Sequence, residues 1–210
     1  MLAVTGCIFG ALWLIFWAVL SELSELSAIF RGFLMTLLTL GLTGGLHLDG
    51  LMDTCDAVFS HRDRDTRLKI LSDTHAGSFA VMGCIVILLG KTLLFSELLT
   101  LDVNPVMIPV YSRLGMAVLL NNLPFAKSGG LAVMLGSARS RKHNVFFAVI
   151  MILLLLAASK IHGVIFVVSL IFWGYMCMKI FGGITGDLLG FYVEMSEFFA
   201  MMCLVILESI

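Results

Sequence analysis

Long apolar runs separated by short polar links make up most of the sequence. Seven runs can be traced, at residues 2–20, 28–46, 77–95, 106–123, 145–158, 164–181 and 188–210. A helix needs about 20 apolar residues to cross the hydrocarbon core of a bilayer. The pattern therefore predicts an all-α polytopic membrane protein with about six to seven transmembrane helices in one bundle, because the run at 145–158 is short for a span. We expect residues 1–210 to form a single integral membrane domain.

Composition supports this class and excludes others. Hydrophobic residues make up 60% of the chain and charged residues 13%, against roughly 25% charged residues in an ordinary soluble domain. A soluble globular protein, a disordered chain and a disulfide-framed secreted module are excluded, because none could bury or cover so much apolar surface. The net charge of −1 predicts no nucleic-acid partner. The first run lacks a preceding basic stretch and an A-x-A site, so we expect a retained helix.

The charges in the polar links predict an orientation. The basic links are 61–75 and 125–144, and the acidic links are 21–27 and 96–105. Because basic links stay in the cytoplasm, we expect a multi-pass protein of the cytoplasmic (inner) membrane with the N-terminus inside. Residues 47–75 and 182–197 then contribute to one site that faces the cytoplasm. Two acidic segments distant in sequence would meet there.

The first acidic segment carries Asp49, Asp53 and Asp56. On a helix this spacing places the three side chains within about 60° of one another. Their hard oxygen atoms suit Mg²⁺, with Mn²⁺ as an alternative. Asp49 and Asp56 would be about 10.5 Å apart along the helix axis, which is too far for one ion to contact both. Either Asp53 bridges two metal ions, or one pair of these aspartates binds a single ion without the third. Such a site predicts a phosphate or pyrophosphate substrate; the alternative is a solvated, capping acidic turn.

Two neighbours of this stripe are candidate substrate-binding residues. Gly50 lacks a β-carbon and would let a ligand approach the backbone. Tight helix packing is the other explanation for a glycine in a membrane bundle. His47 precedes the stripe, and it could bind a metal ion, contact phosphate or cap the helix at the interface.

The second acidic segment is a glycine-rich turn followed by Asp187, Glu194 and Glu197. A glycine-rich turn before a helix offers free N–H groups to an anion. Glu194 would lie about 10 Å deeper than Asp187 along an inward-running helix. A carboxylate at that depth usually marks a polar site. The alternative is an interfacial helix that never enters the bilayer core.

Three polar residues lie in or near apolar runs. Arg113 should pair with an inward-facing carboxylate or a substrate phosphate, or else extend to an interface, because an unpaired guanidinium costs roughly 2.5–3.5 kcal/mol inside a bilayer. Lys91 is predicted to extend to the near interface. Asp73 precedes the third run, where it could bind substrate or cap the helix.

Four stretches resemble the cobalamin synthase family, adenosylcobinamide-GDP ribazoletransferase. They are GLHLDGLMDTCD at 45–56, LSDTHAGSF at 71–79, YSR at 111–113 with PFAKSGGL at 124–131, and GGITGDLLG at 182–190 followed by Glu194 and Glu197. Ser72 stands where the family usually has lysine, and Lys127 stands where it has arginine. The resemblance extends over residues 1–200.

The resemblance implies a Mg²⁺-dependent enzyme that acts late in cobalamin biosynthesis. It would join adenosylcobinamide-GDP to α-ribazole, or to its 5′-phosphate, with release of GMP. The roles of the residues follow from the pattern described above. Asp49, Asp53 and Asp56 are the expected metal ligands, and Asp187 either completes the metal site or acts as the catalytic base, with Glu194 as the second candidate base. Arg113 is expected to grip phosphate as a catalytic and substrate-binding residue, and His47, Gly50 and Asp73 are the other expected substrate-binding residues. Membrane lipid and a second copy of the chain are further expected partners.

Two other functions share part of the pattern. A CDP-alcohol phosphotransferase also uses aspartates and metal at a membrane face, but no Ala-Arg follows Asp49 and Gly50 here. A cation-coupled transporter could also use membrane carboxylates, and inverted repeats would support it. The two acidic segments give only a faint repeat.

Overall fold

The computed structural model describes residues 2–136 and 160–210, so the run predicted at 145–158 lies outside the described residues. We number the described helices in chain order. They are α1 (Leu2–Glu22), α2 (Ala28–Thr43), α3 (Leu46–Phe59), α4 (Arg64–Ile70), α5 (Ser78–Thr100), α6 (Ile108–Asn122), α7 (Leu131–Gly136), α8 (Lys160–Phe181) and α9 (Gly186–Glu208).

The all-α polytopic membrane architecture is confirmed, and the number of spans is smaller in the described part. Three helices there are long and apolar enough to cross a bilayer: α1, α5 and α9. The pair α2 and α3 passes the same test only as one bent span, with a 91° bend. Large apolar side chains such as Val86, Ile171 and Phe172 point outward, about 60% or more exposed. The outer surface is therefore suited to lipid.

The predicted apolar run at 28–46 does not form one straight helix. Helix α2 ends at Thr43, and α3 begins at Leu46 after a sharp turn. Gly44 and Gly45 have φ values of 58° and 78°. Glycine adopts this left-handed conformation without the steric cost that a β-carbon brings. The acidic segment is therefore a separate helix that leaves α2 at a steep angle.

Helix α9 lies at the centre of the bundle and packs against α3, α5, α6 and α8. One apolar cluster surrounds its first half and includes Trp173, Leu188 and Val193. A second cluster surrounds its last half and includes Met201 with Trp13 and others from α1, α2, α5 and α6. Because α9 is held along its length, the residues on its first turns have fixed neighbours.

Three hydrogen bonds fix the turn that leads into α9. The Ile184 N–H donates to the Pro124 carbonyl at 2.9 Å, and the Ala126 N–H donates to the Ile184 carbonyl at 2.9 Å. The Arg64 Nε donates to the Phe181 carbonyl at 2.7 Å, at the end of α8. The turn therefore holds the segment after α6 beside the start of α9.

Candidate active site

Helices α3 and α9 cross at two glycines. A β-carbon on Gly50 would lie 2.7 Å from the carbonyl oxygen of Asp187. A β-carbon on Gly190 would lie 3.1 Å from the carbonyl oxygen of His47. The two backbones therefore touch, which agrees with the packing explanation for Gly50. The space beside this glycine is filled by the backbone of Asp187 and not open to a ligand.

This crossing brings three carboxylates together. Asp49 is exposed, and Asp53 and Asp187 are half-buried. Asp53 lies close enough to feel the charges of Asp49 and Asp187, and Asp187 feels the charge of Asp49. Helix geometry on α3 and the tight crossing with α9 are the two causes of this proximity. The two acidic segments pack against each other, and the single site predicted from them stays a prediction.

Thr185 fixes the first turn of α9. Its hydroxyl accepts the Leu188 N–H at 3.3 Å and donates to the Asp187 carboxylate at 3.3 Å. This arrangement is a helix N-cap, which satisfies one of the free N–H groups of the first turn. The same hydroxyl orients the carboxylate of Asp187 toward the cleft.

Asp56 differs from the other two acids of the stripe. Its carboxylate accepts the Gly77 N–H at 2.6 Å and the Ala80 N–H at 2.9 Å. These are free N–H groups at the start of α5, so Asp56 caps that helix from α3. Both of its oxygen atoms already have partners, which a metal ion would have to share.

Asp73 does not cap α5, so the capping alternative is wrong. Asp73 accepts the His75 N–H at 3.0 Å and lies 2.7 Å from the His75 ring nitrogen Nδ1. These bonds hold the pKa of Asp73 below its usual range. Both side chains are exposed, and neither is among the residues that line the cleft described next.

A cleft of about 530 Å³ opens beside Asp187, whereas Asp49 and Asp53 are not among its lining residues. Its polar side chains belong to His47, Ser72, Lys127, Ser128, Thr185 and Asp187. Its other walls include apolar side chains and the backbone of several glycines. A volume of this size accepts part of a large substrate with its reacting group enclosed.

Among the described residues, no three His, Cys, Asp or Glu side chains are placed to hold one ion by themselves. Asp49, Asp53 and Asp187 bring hard oxygen atoms within electrostatic reach of one another. Such a donor set fits Mg²⁺, which is usually held by one or two carboxylates and completes its octahedron with water and substrate phosphate.

A buried ion network lies inside the bundle. The Lys91 Nζ is 2.6 Å from Oε2 of Glu194 and 2.8 Å from Oε2 of Glu197. The Arg113 guanidinium pairs with the other oxygen of Glu197, which also accepts the Ser112 hydroxyl at 3.0 Å. Two cations and two carboxylates therefore balance one another where water is excluded.

The contacts in this network distinguish between the positions that the sequence left open for Lys91, Arg113 and the two glutamates. Lys91 is 2% exposed, so the prediction that it extends to an interface is wrong. Arg113 pairs with an inward-facing carboxylate, which is one of its predicted alternatives. Glu194 and Glu197 lie inside the bundle on α9 and not on an interfacial helix. Neither Arg113 nor Glu194 lines the cleft, and their catalytic roles stay predictions.

His47 lies between the network and the cleft. It lines the cleft, and the charges of Arg113, Glu197 and Lys91 act on its ring. Its Nδ1 is buried with no hydrogen-bond partner among the described residues. A buried polar atom without a partner is uncommon in a folded protein, and the substrate contact predicted for His47 stays a prediction.

Comparison with known proteins identifies the family. The family model described as Cobalamin-5-phosphate synthase matches residues 1–205. The chain belongs to the cobalamin-5-phosphate synthase family. A relative from Escherichia coli O127:H6 named adenosylcobinamide-GDP ribazoletransferase is 33% identical over 190 residues, which are 86% of this chain and 75% of the relative. A relative of the same name from Geobacillus kaustophilus is 33% identical over 208 residues, 91% of this chain and 78% of the relative. No solved structure matches the chain.

Membership of the cobalamin-5-phosphate synthase family favours neither the lipid headgroup transferase nor the transporter. Two cleft residues, Lys127 and Ser72, have no role in the sequence-based prediction, where they are only departures from the family pattern, although both line the cleft. The inward position of Lys91 has a signal in the sequence. The apolar runs contain two glutamates and one arginine, so one buried negative charge lacks a positive partner unless a second cation turns inward.

Proposed function

We propose that this chain transfers the adenosylcobinamide phosphoryl group from adenosylcobinamide-GDP to α-ribazole or α-ribazole 5′-phosphate. The acceptor hydroxyl attacks the phosphorus that carries the corrinoid, the pyrophosphate P–O bond breaks, and GMP leaves. Adenosylcobalamin, or its 5′-phosphate, is the other product. The observation that carries the proposal is the family match over residues 1–205. The Asp187 carboxylate in the cleft, with Asp49 and Asp53 of α3 within electrostatic reach of it, supports the proposal.

Asp49, Asp53 and Asp187 would hold Mg²⁺, with Mn²⁺ as the alternative ion. When bound, such an ion neutralises negative charge on the pyrophosphate and on the departing GMP. Phosphoryl transfer depends mainly on positioning and charge stabilisation. Asp56 would contribute through the position of α3, since its oxygens cap α5.

The proton of the attacking hydroxyl needs an acceptor. Asp187 lines the cleft, and its carboxylate is oriented by the Thr185 hydroxyl. A general base has to reach the proton it removes, and Asp187 meets this condition better than Glu194, which is paired with Lys91. We therefore assign the base to Asp187 and a substrate contact to His47.

The proposal includes a location. Arg62, Arg64, Arg67 and Lys69 follow α3 directly, at the end of the bundle where the cleft opens. Basic links are retained in the cytoplasm, so the cleft would face the cytoplasm from the inner membrane. Both substrates are large and polar at the reacting end, and they would enter from the aqueous side.

The test is GMP release from adenosylcobinamide-GDP by the purified protein in detergent, with ribazole present or absent and Mg²⁺ present or chelated. We expect release only with both. Asp53→Asn and Asp187→Asn should lose at least about a hundredfold in rate, since each removes charge at the reacting centre. Asp102→Asn is the matched control, because this exposed carboxylate follows the far end of α5. Full activity of Asp53→Asn and Asp187→Asn in folded protein would refute the proposal.

A further inference from the structure

A single lysine lines the cleft together with the carboxylate of Asp187. Lys127 has the only permanent positive charge among the described residues that line the cleft. Its charge opposes those of both Asp53 and Asp187, so the ammonium group lies within electrostatic reach of each. The cleft lining thus holds the Asp187 carboxylate on α9 and the Lys127 ammonium group on the segment after α6, and Asp53 of α3 lies within reach of the same positive charge.

The backbone holds Lys127 in this place. It follows Ala126, whose N–H is bonded to the Ile184 carbonyl at 2.9 Å, so its own position is tied to the turn before α9. Gly129 and Gly130 come two and three residues further on, and a β-carbon added to either would have no atom within 4 Å. The chain beside the lysine therefore leaves room for a ligand to approach the backbone closely.

The present partner of Lys127 is weak and replaceable. Its ammonium group donates to the Ser72 hydroxyl, on the link between α4 and α5. A neutral hydroxyl accepts a less stable bond from a charged donor than an anionic oxygen does. An ammonium group has three donors, so a phosphate oxygen could replace or join the serine.

We propose that Lys127 is a substrate-binding residue that grips a phosphate of the pyrophosphate group. The inference rests on the proposed function, because it assigns the pyrophosphate group of that reaction's substrate to a contact with Lys127. The carboxylates, with their metal ion, and Lys127 then contact the same pyrophosphate. Without the lysine, the negative charges of Asp53 and Asp187 repel the pyrophosphate more strongly.

The experiment measures binding and turnover separately. Inorganic pyrophosphate is titrated into the detergent-solubilised full chain in the presence of Mg²⁺, and KM and kcat for adenosylcobinamide-GDP are measured in the same preparations. The variants are Lys127→Gln, Lys127→Arg, Ser72→Ala and Lys179→Gln. Lys179 is the matched control, because it is an exposed lysine at the end of α8 that contacts Tyr175 and does not line the cleft.

We expect Lys127→Gln to weaken pyrophosphate binding by about 10- to 100-fold, the range of one charge-assisted hydrogen bond. KM should rise by a similar factor, with a smaller change in kcat. Lys127→Arg should restore most of the binding, and Lys179→Gln should bind as the unmodified chain does. Ser72→Ala should bind at least as tightly, because the competing partner is gone.

Two results would overturn the inference. Lys127→Gln could bind pyrophosphate as tightly as the unmodified chain. Alternatively, Ser72→Ala could lose as much binding as Lys127→Gln, which would mean that their hydrogen bond supports the fold and does not compete with the ligand. If GMP release fails in every preparation while pyrophosphate binding still depends on Lys127, the proposed function fails and the phosphate site stands.

Discussion

Removing the charge of Lys91 should destabilise the protein strongly. Among the described residues, Lys91 is the one cation that contacts both Glu194 and Glu197, at 2.6 Å and 2.8 Å, and all three side chains are buried. The variant Lys91→Met keeps the length and apolar stem of the side chain and removes the ammonium group. Two carboxylates then share the single charge of Arg113 where water is excluded.

The magnitude follows from the loss of one partner in a buried ion pair. Such a loss typically costs about 3–5 kcal/mol, because it leaves an uncompensated charge. For a chain of this size, each kcal/mol lowers the melting temperature by roughly 2–4 °C. The expected fall is therefore about 6–20 °C. The assay is thermal unfolding in detergent followed by a thiol-reactive fluorophore, since Cys55 and Cys177 are buried in the folded protein.

Two further variants separate charge from packing. Lys179→Met makes the same change at an exposed lysine and should melt as the unmodified chain does. The double variant Lys91→Met with Glu194→Gln removes one charge of each sign, and it should be more stable than Lys91→Met alone. An unchanged melting temperature for Lys91→Met, or a double variant that is less stable than the single one, would refute the reasoning.

Three other predictions follow from the site. Gly50→Ala should lower both the melting temperature and the rate of GMP release, because its β-carbon would lie 2.7 Å from a backbone oxygen of α9; Gly41→Ala, with no atom within 4 Å of the added carbon, should change neither. Asp56→Ala should destabilise the protein by about 0.5–2 kcal/mol through the lost cap, whereas Asp49→Ala should melt normally. Mg²⁺ at about a hundred times its dissociation constant should stabilise the protein by about 2.7 kcal/mol. Asp53→Asn should lose this stabilisation, and stabilisation by Mg²⁺ that persists in the variant would contradict the role of Asp53 as a ligand.

Sequence reasoning reaches the site through local rules. The spacing of Asp49 and Asp53 predicts a shared helix face, and the distribution of basic residues predicts that Asp187 lies on the same side of the membrane. Both expectations need only helix periodicity and charge. The resemblance to a known family supplies the substrates, which no physical rule gives.

The features that sequence reasoning misses depend on contacts between distant segments. Asp56 shares a helix face with Asp49 and Asp53, and only the packing of α5 against α3 gives its carboxylate two N–H groups to cap. Lys91 sits close enough to the end of an apolar run to reach an interface, and the position of α9 shows which two glutamates it pairs with instead. Hydropathy also cannot detect a change of direction inside an apolar run, so it misses the end of α2 at Thr43.

The turn between α2 and α3 determines the angular phase of the acidic helix. Helix α3 starts directly after Gly44 and Gly45, whose left-handed conformations leave no spare residues in the link. Inserting or deleting one residue there would rotate every later side chain of α3 by about 100° about the helix axis. Asp49 and Asp53 would then turn away from Asp187, although no side chain had been replaced. The chain is therefore expected to tolerate changes of length in its exposed links far better than at these two glycines.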